Sequence, residues 1–213
     1  LISFEGINNI ISQLPLVAGI VGHGLEPVVL LPSRASEEQK RLYKKCGVRR
    51  FAYWDEGGLC KDGAATLLAL KECESQADLL ALTWHGIPVG KFLVSTLMRR
   101  YRLGSVSPND LKIASALYST LERTLDQTHA AEKILDQWSP ELVIFIDRGY
   151  TPEGPMFEAC IQRGIRPATM NAAHRDNALI LKRYDRSNSD VHPVSLSQKS
   201  WKAISEAPRQ DEI

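Results

Sequence analysis

No charge of either sign dominates this 213-residue sequence, in which 26 Lys and Arg stand against 25 Asp and Glu for a formal net charge of +1. Such a balance steers nothing toward nucleic acid, and no basic stripe interrupts it. Cysteine is scarce. Cys46, Cys60, Cys73 and Cys160 form no C-x-x-C pair, which removes zinc knuckles and thioredoxin-type sites. A chain of this length needs no disulfide for stability, so they read as thiols of a reducing compartment. Long uncharged runs are nearly absent as well. The exception, 6–25, has spanning length but carries Asn8, Asn9, Ser12, Gln13, Pro15 and His23. Its apolar residues recur at helical spacing, the pattern of a helix half-buried on a sheet and not of a membrane span. No basic start or cleavage site marks a signal peptide. A chain opening at Leu1 without methionine reads as a piece of a longer protein.

Several motifs are missing too. Without G-x-G-x-x-G after the first strand, a dinucleotide fold loses its main support; without G-x-x-x-x-G-K-[ST], P-loop enzymes are removed. Without a G-x-S-x-G elbow, ordinary α/β-hydrolases are removed. There is no D-x-D triplet, and no His, Cys and acid set at metal spacing, so no metal is expected.

What is present is the composition of an ordinary globular protein, 44% hydrophobic and 24% charged. Residues 1–4 read as the end of a buried strand and 6–9 as a turn. A helix follows, kinked at Pro15 or starting near it, and ends at Gly22-His23-Gly24. The run 27–31 (PVVLL) is a strand covered on both faces. Residues 36–46 form a polar helix capped by Ser36, and 48–54 a strand broken by Arg49 and Arg50. One long amphipathic helix is expected over 64–82, a glycine-rich loop over 84–90, and helices over 91–102 and 109–138. The clearest strand is 142–146 (LVIFI). A helix over 153–163, strands at 167–171 and 178–184, and a small helix over 195–203 complete the chain. This alternation predicts a single α/β domain, 1–208, built on a Rossmann-like, doubly wound, mostly parallel sheet flanked by helices, with a tail at 209–213.

Ligands of such sheets sit beyond the carboxyl ends of the strands. The loop Asp147-Arg148-Gly149-Tyr150-Thr151-Pro152-Glu153-Gly154 follows the best strand and opens a helix whose free N–H groups favour an anion or carbonyl oxygen. Asp147 or Glu153 suits a general base; equally, Asp147 suits a turn cap and Glu153 a complement to the helix dipole. Trp84-His85 pairs an indole with an imidazole, suited to a sugar ring and to proton transfer, or else to a core indole beside a solvated histidine. Glu5, Gly6, Asn8 and Asn9 occupy the first strand-to-helix turn. His174 and Asp176 lie at i, i+2, where they face one way on a strand. The catalytic candidates are therefore Asp147, Glu153, His85 and Glu5; the substrate-binding candidates are Gly6, Asn8, Asn9, Trp84, Tyr150 and His174. His23, His129 and His192 read as structural.

Phe4-Glu5-Gly6 and the run from Gly24 to Leu31 come first in a set of familiar segments. Gly86-Ile87-Pro88-Val89-Gly90 then leads into Ser95-Thr96-Leu97-Met98-Arg99-Arg100. Asp147 through Gly154, Ala159, Gly164-Ile165, Arg183-Tyr184, Asn188, His192-Pro193 and Trp201 follow. This order resembles the N-terminal half of GT-B-type glycosyltransferases of bacterial surface and capsular polysaccharide synthesis. The resemblance implies an acceptor-side domain facing a saccharide or lipid-linked saccharide. It places the nucleotide-sugar donor, and any cofactor function, in a C-terminal donor-binding domain beyond Ile213, so this part alone is inactive. It also implies a cytoplasmic protein at the inner face of the membrane, with no nucleic-acid partner. No position matches the family's base, so the catalytic candidates stand on loop position and chemistry. A non-catalytic binding or scaffold domain in polysaccharide assembly, and half of a UDP-sugar epimerase, are the alternatives.

Overall fold

A computed structural model of the chain describes residues 2–3, 7–32, 34–54, 59–173, 178–196 and 198–206. Its elements are β1 (Ile2–Ser3), α1 (Ile7–Gly22), β2 (Val28–Leu31), α2 (Glu37–Lys45), β3 (Arg50–Tyr53), α3 (Ala64–Ala69) and α4 (Gln76–Ala81). Then come α5 (Val89–Tyr101), α6 (Ala114–Trp138), β4 (Leu142–Phe145), α7 (Glu153–Arg163), β5 (Arg166–Ala172), β6 (Leu179–Arg183) and α8 (Gln198–Glu206). The strands join in one sheet of order β3-β2-β1-β4-β5-β6. Neighbours from β3 to β5 run parallel, whereas β6 turns back antiparallel on β5.

Alternation along each strand sends side chains to two cores. Val28, Leu30, Ala52, Val143 and Phe145 face a large cluster built with α4, α5, α6 and α7. Val29, Leu31, Ile144 and Met170 face a smaller one with Val17 of α1 and Tyr43 of α2. Covered on both faces, β2 is the uninterrupted apolar run VVLL and all four residues are buried.

The expectation of a doubly wound Rossmann-like domain forming one half of a GT-B architecture is corrected by this arrangement, although four of the five strand pairs are parallel. The sheet is mixed, since β6 runs antiparallel to β5, and its strands β2, β3 and β4 have only four residues each. Between β3 and β4 the chain does not alternate strand with helix. Across 54–141 the described residues contain no sheet strand, only helices and turns. They supply most of the large core instead, through residues such as Phe92, Leu97, Leu121 and Leu125.

Two local expectations also change. The helix expected over 64–82 is split into α3, a 3-10 turn at Leu70–Glu72, and α4. The cause is a capping box: the Ser75 hydroxyl accepts from the Asp78 N–H (3.2 Å), and the Asp78 carboxylate accepts from the Ser75 N–H (2.8 Å). The turn expected at 6–9 is partly helix, since α1 starts at Ile7 and places Asn8 and Asn9 in its first turn. Pro15 lies inside α1, where it removes the N–H that serves the Ile11 carbonyl. Among the described residues no helix is long and apolar enough to cross a membrane.

Candidate functional site

The connection from β4 to α7, at the carboxyl edge of the sheet, is fixed by hydrogen bonds within the turn and to two helices. The Asp147 N–H donates to Glu153 Oε2 (2.8 Å), and the Gly149 N–H donates back to Asp147 Oδ1 (2.8 Å). The Gly154 N–H closes onto the Tyr150 carbonyl (2.7 Å). Two neighbouring helices hold the far side of the turn: the Thr151 N–H donates to Thr96 Oγ1 of α5 (3.3 Å), and its hydroxyl meets that of Thr124 of α6 (3.0 Å). Gly154 is required by close approach, because a Cβ there would overlap the Phe92 ring and stand 2.9 Å from the Arg148 carbonyl.

Asp147 and Arg148 point their charges to different tasks. The second Asp147 oxygen accepts from Arg99 Nη1 (3.3 Å), and the carboxylate stays 42% exposed. The same Arg99 guanidinium lies 4.4 Å over the Tyr150 ring. Arg148 turns the other way. Its guanidinium sits 4.9 Å from the Phe157 ring and 4.8 Å from that of Tyr184, and it donates to the Ser189 and Val191 carbonyls. Those carbonyls belong to the segment 188–195, which returns across the edge of the sheet.

A cavity of about 500 Å³ opens between that segment and the turn. Asp147, Gly149 and Tyr150 line it from the turn, and Asp190, His192 and Pro193 from the segment; Lys91, Arg148 and Asn171 also border it. The Asn171 amide nitrogen is buried without a hydrogen-bond partner among the described residues. A smaller space of about 210 Å³, lined by Arg99, Thr151 and Glu153, shares Ile146, Asp147 and Tyr150 with it. Another cavity, of about 410 Å³, lies at the amino ends of β2 and β4 beside Leu25, Val28, Trp138 and Leu142. Ligands of open α/β sheets bind at the carboxyl ends, which favours the space beside Asp147.

Of the residues expected at the site, Asp147, Glu153 and Tyr150 come together here. Glu153 accepts the Asp147 backbone N–H and so helps close the turn. Trp84 and His85 lie elsewhere. His85 Nδ1 is 3.0 Å from Glu132 and its Nε2 is 3.3 Å from Asp62. Glu132 also pairs with Arg163 (3.8 Å), at the end of α7 remote from the turn. The length of α7 sets the Arg163 backbone roughly 15 Å from that of Glu153, at about 1.5 Å per residue. Trp84 is buried and stacked on the His85 ring (3.7 Å between centroids, 15° between planes), so it offers no face to a sugar. Trp84 and His85 thus line neither of the cavities beside Asp147, against the expectation of one shared rim. Hydrogen bonding from Cys60 to Asp62 holds that carboxyl below its ordinary range. Glu5, Gly6 and His174 lie outside the described residues. Asn8 and Asn9 are placed by the α1 backbone only.

Sequence reasoning missed Arg99, Lys91, Asp190 and His192 as lining residues. Arg99 sits in the α5 segment quoted for the family resemblance, but nothing in its spacing announces a partner 48 residues away. No group of three or more His, Cys, Asp and Glu among the described residues is arranged to hold a metal ion.

No protein-family model matches the chain, and no curated protein matches it. Among solved structures it is similar to the "structure of a CDPS from Fluoribacter dumoffii", at 13% identity and a TM-score of 0.43, over 86% of this chain and 89% of that one. That neighbour is a cyclodipeptide synthase and not a glycosyltransferase. The reading of the chain as the acceptor half of a capsule glycosyltransferase, with its scaffold and epimerase alternatives, finds no support in these comparisons and is withdrawn. A likeness of that size transfers no activity to this chain.

Proposed function

We propose that the chain is a small-molecule-binding α/β domain whose ligand is hydroxyl-rich, of the sugar or polyol class, and sits beside Asp147. The observation that carries this reading is the composition of the 500 Å³ cavity, which falls within the usual range for ligand sites. It presents the carboxylates of Asp147 and Asp190 as acceptors, and Asn171, whose amide nitrogen is buried and unpartnered, lines it beside them. A hydroxyl group both donates and accepts, so a ring of hydroxyls answers such a mixed lining.

The cations argue against an anionic ligand. Lys91 pairs with Glu158 (3.5 Å), Arg99 pairs with Asp147 (3.3 Å), and Arg148 donates to backbone carbonyls. Asp190 adds a further acidic side chain to the lining. A phosphate therefore meets spent donors and two carboxylates, whereas a neutral polyol meets groups it can satisfy.

Amide NMR titration tests this with methyl α-glucoside, myo-inositol and inorganic phosphate as probes. Saturable shifts are expected from at least one polyol at 146–150, 171 and 190–194, and Asp147→Asn should weaken that binding about tenfold, the loss of one charge-assisted hydrogen bond. Phosphate binding more tightly than both polyols, or polyol binding indifferent to Asp147→Asn and Asn171→Ala, defeats the proposal.

A further inference from the structure

The outer wall of the cavity is not an element of the sheet. Residues 188–195 form turns, and they are held by cations that reach out from the sheet. Lys182 of β6 donates to the His192 carbonyl (2.7 Å) and to the carbonyl and hydroxyl of Ser195 (2.7 and 2.9 Å). Arg148 donates to the carbonyls of Ser189 and Val191. Between these anchor points lie Asp190, His192, Pro193 and Val194, the residues that line the cavity.

We infer that Arg148 is the positioning residue of this site: its guanidinium, seated against Phe157 and Tyr184, fixes the 188–195 wall at its distance from Asp147. The inference rests on the ligand reading above for its functional meaning, but the clamp itself is a property of the ligand-free chain. Three features make the group specific. A guanidinium presents several donors in a fixed planar fork, which suits two carbonyls two residues apart. The aromatic faces of Phe157 and Tyr184 favour a cation that has lost part of its water. Arg148 also leads directly from Asp147, so the residue that shapes the wall and the residue that faces it share one backbone. A lysine fills similar space but is a single point charge on a flexible stem. The crowding of Arg148 and Lys182 on one short segment agrees with a Lys182 ammonium pushed below its ordinary range, by burial first and the Arg148 charge second.

Hydrogen exchange on the ligand-free protein tests the clamp in Arg148→Ala and Arg148→Lys. The Val191 and Ser195 amides, which donate within the segment, should exchange at least tenfold faster in both variants, with β4 and α7 unchanged. Methylguanidinium at millimolar concentration should restore their protection in Arg148→Ala, and methylammonium should not. A purely space-filling role would show no such selectivity. If the alanine variant loosens β4 and α7 as well, the lysine variant decides alone. Segment protection equal to wild type in the lysine variant, or rescue by methylammonium as good as by methylguanidinium, overturns the inference. Where a polyol binds the wild type, Arg148→Lys should weaken it about tenfold. Absence of polyol binding in the wild type instead removes the ligand reading, and leaves the exchange result standing.

Discussion

Replacing Gly154 by alanine puts the packing of the Asp147 turn to a quantitative test. Gly154 is the second residue of α7, is buried, and an added Cβ overlaps the Phe92 ring while standing 2.9 Å from the Arg148 carbonyl. Forcing a methyl into a filled core costs about 1–3 kcal/mol. Alanine recovers at most about 1 kcal/mol of helix propensity, and less in a first turn. A net loss of about 2 kcal/mol is expected, which for a chain of 213 residues lowers the melting temperature by roughly 4–8 °C. Gly19 is the matched control. It lies within α1, and a Cβ there meets nothing within 4 Å, so Gly19→Ala should gain about 0.5–1 kcal/mol. Urea denaturation followed by circular dichroism reads both. Gly154→Ala as stable as wild type would show that the turn is not pressed against α5, and the geometry of the site would fall with it.

Two further outcomes follow from the titrating groups. Burial, then the neighbouring Asp62, pushes the Cys60 thiol up to about 11, so at pH 8 only about one molecule in a thousand carries its thiolate. Burial pushes Cys160 up to about 12. Thiol-disulfide reagents should therefore modify Cys46 first, with Cys60 and Cys160 gaining reactivity only as the pH climbs toward those values; early labelling of Cys60, located by peptide mapping, contradicts this. In the Ser75 capping box, hydrogen bonds from the Ser75 hydroxyl and the Glu74 and Ser75 amides hold Asp78 below its ordinary value of 3.8. Because the folded value is the lower one, its stabilisation is complete above the unfolded value and is lost as the pH falls through the folded value. Asp78→Asn should flatten the acid limb of the stability profile below pH 4, and an unaltered limb in urea melts would refute the role of the box.

The strand 142–145 and the turn after it were legible because a bounded apolar run followed by Asp-Arg-Gly has few other meanings. The carboxyl-edge location of Asp147 and Tyr150 followed from that strand alone. His85 shows where linear reading stops. A polar loop between helices carries no mark of which end of the sheet it reaches; that is decided by the direction of α5, whose Arg99 end meets Asp147. The break at Ser75 was readable, since S-x-x-D is itself a capping signal, but the amphipathic pattern running through it masked the stop. Arg148 was visible only as a neighbour of Asp147. Its partners lie 9 and 36 residues away as rings, and 41 and 43 residues away as carbonyls, with nothing in the spacing to join them.

A crystal structure grown with the polyol that gives the largest amide shifts bears most directly on the central claim. The account predicts a ring bound between the Asp147 turn and the 188–195 segment, with hydroxyls within hydrogen-bond distance of the Asp147 carboxylate and the Asn171 amide. A ring bound against Trp138 at the opposite edge of the sheet, or against His85, would contradict it.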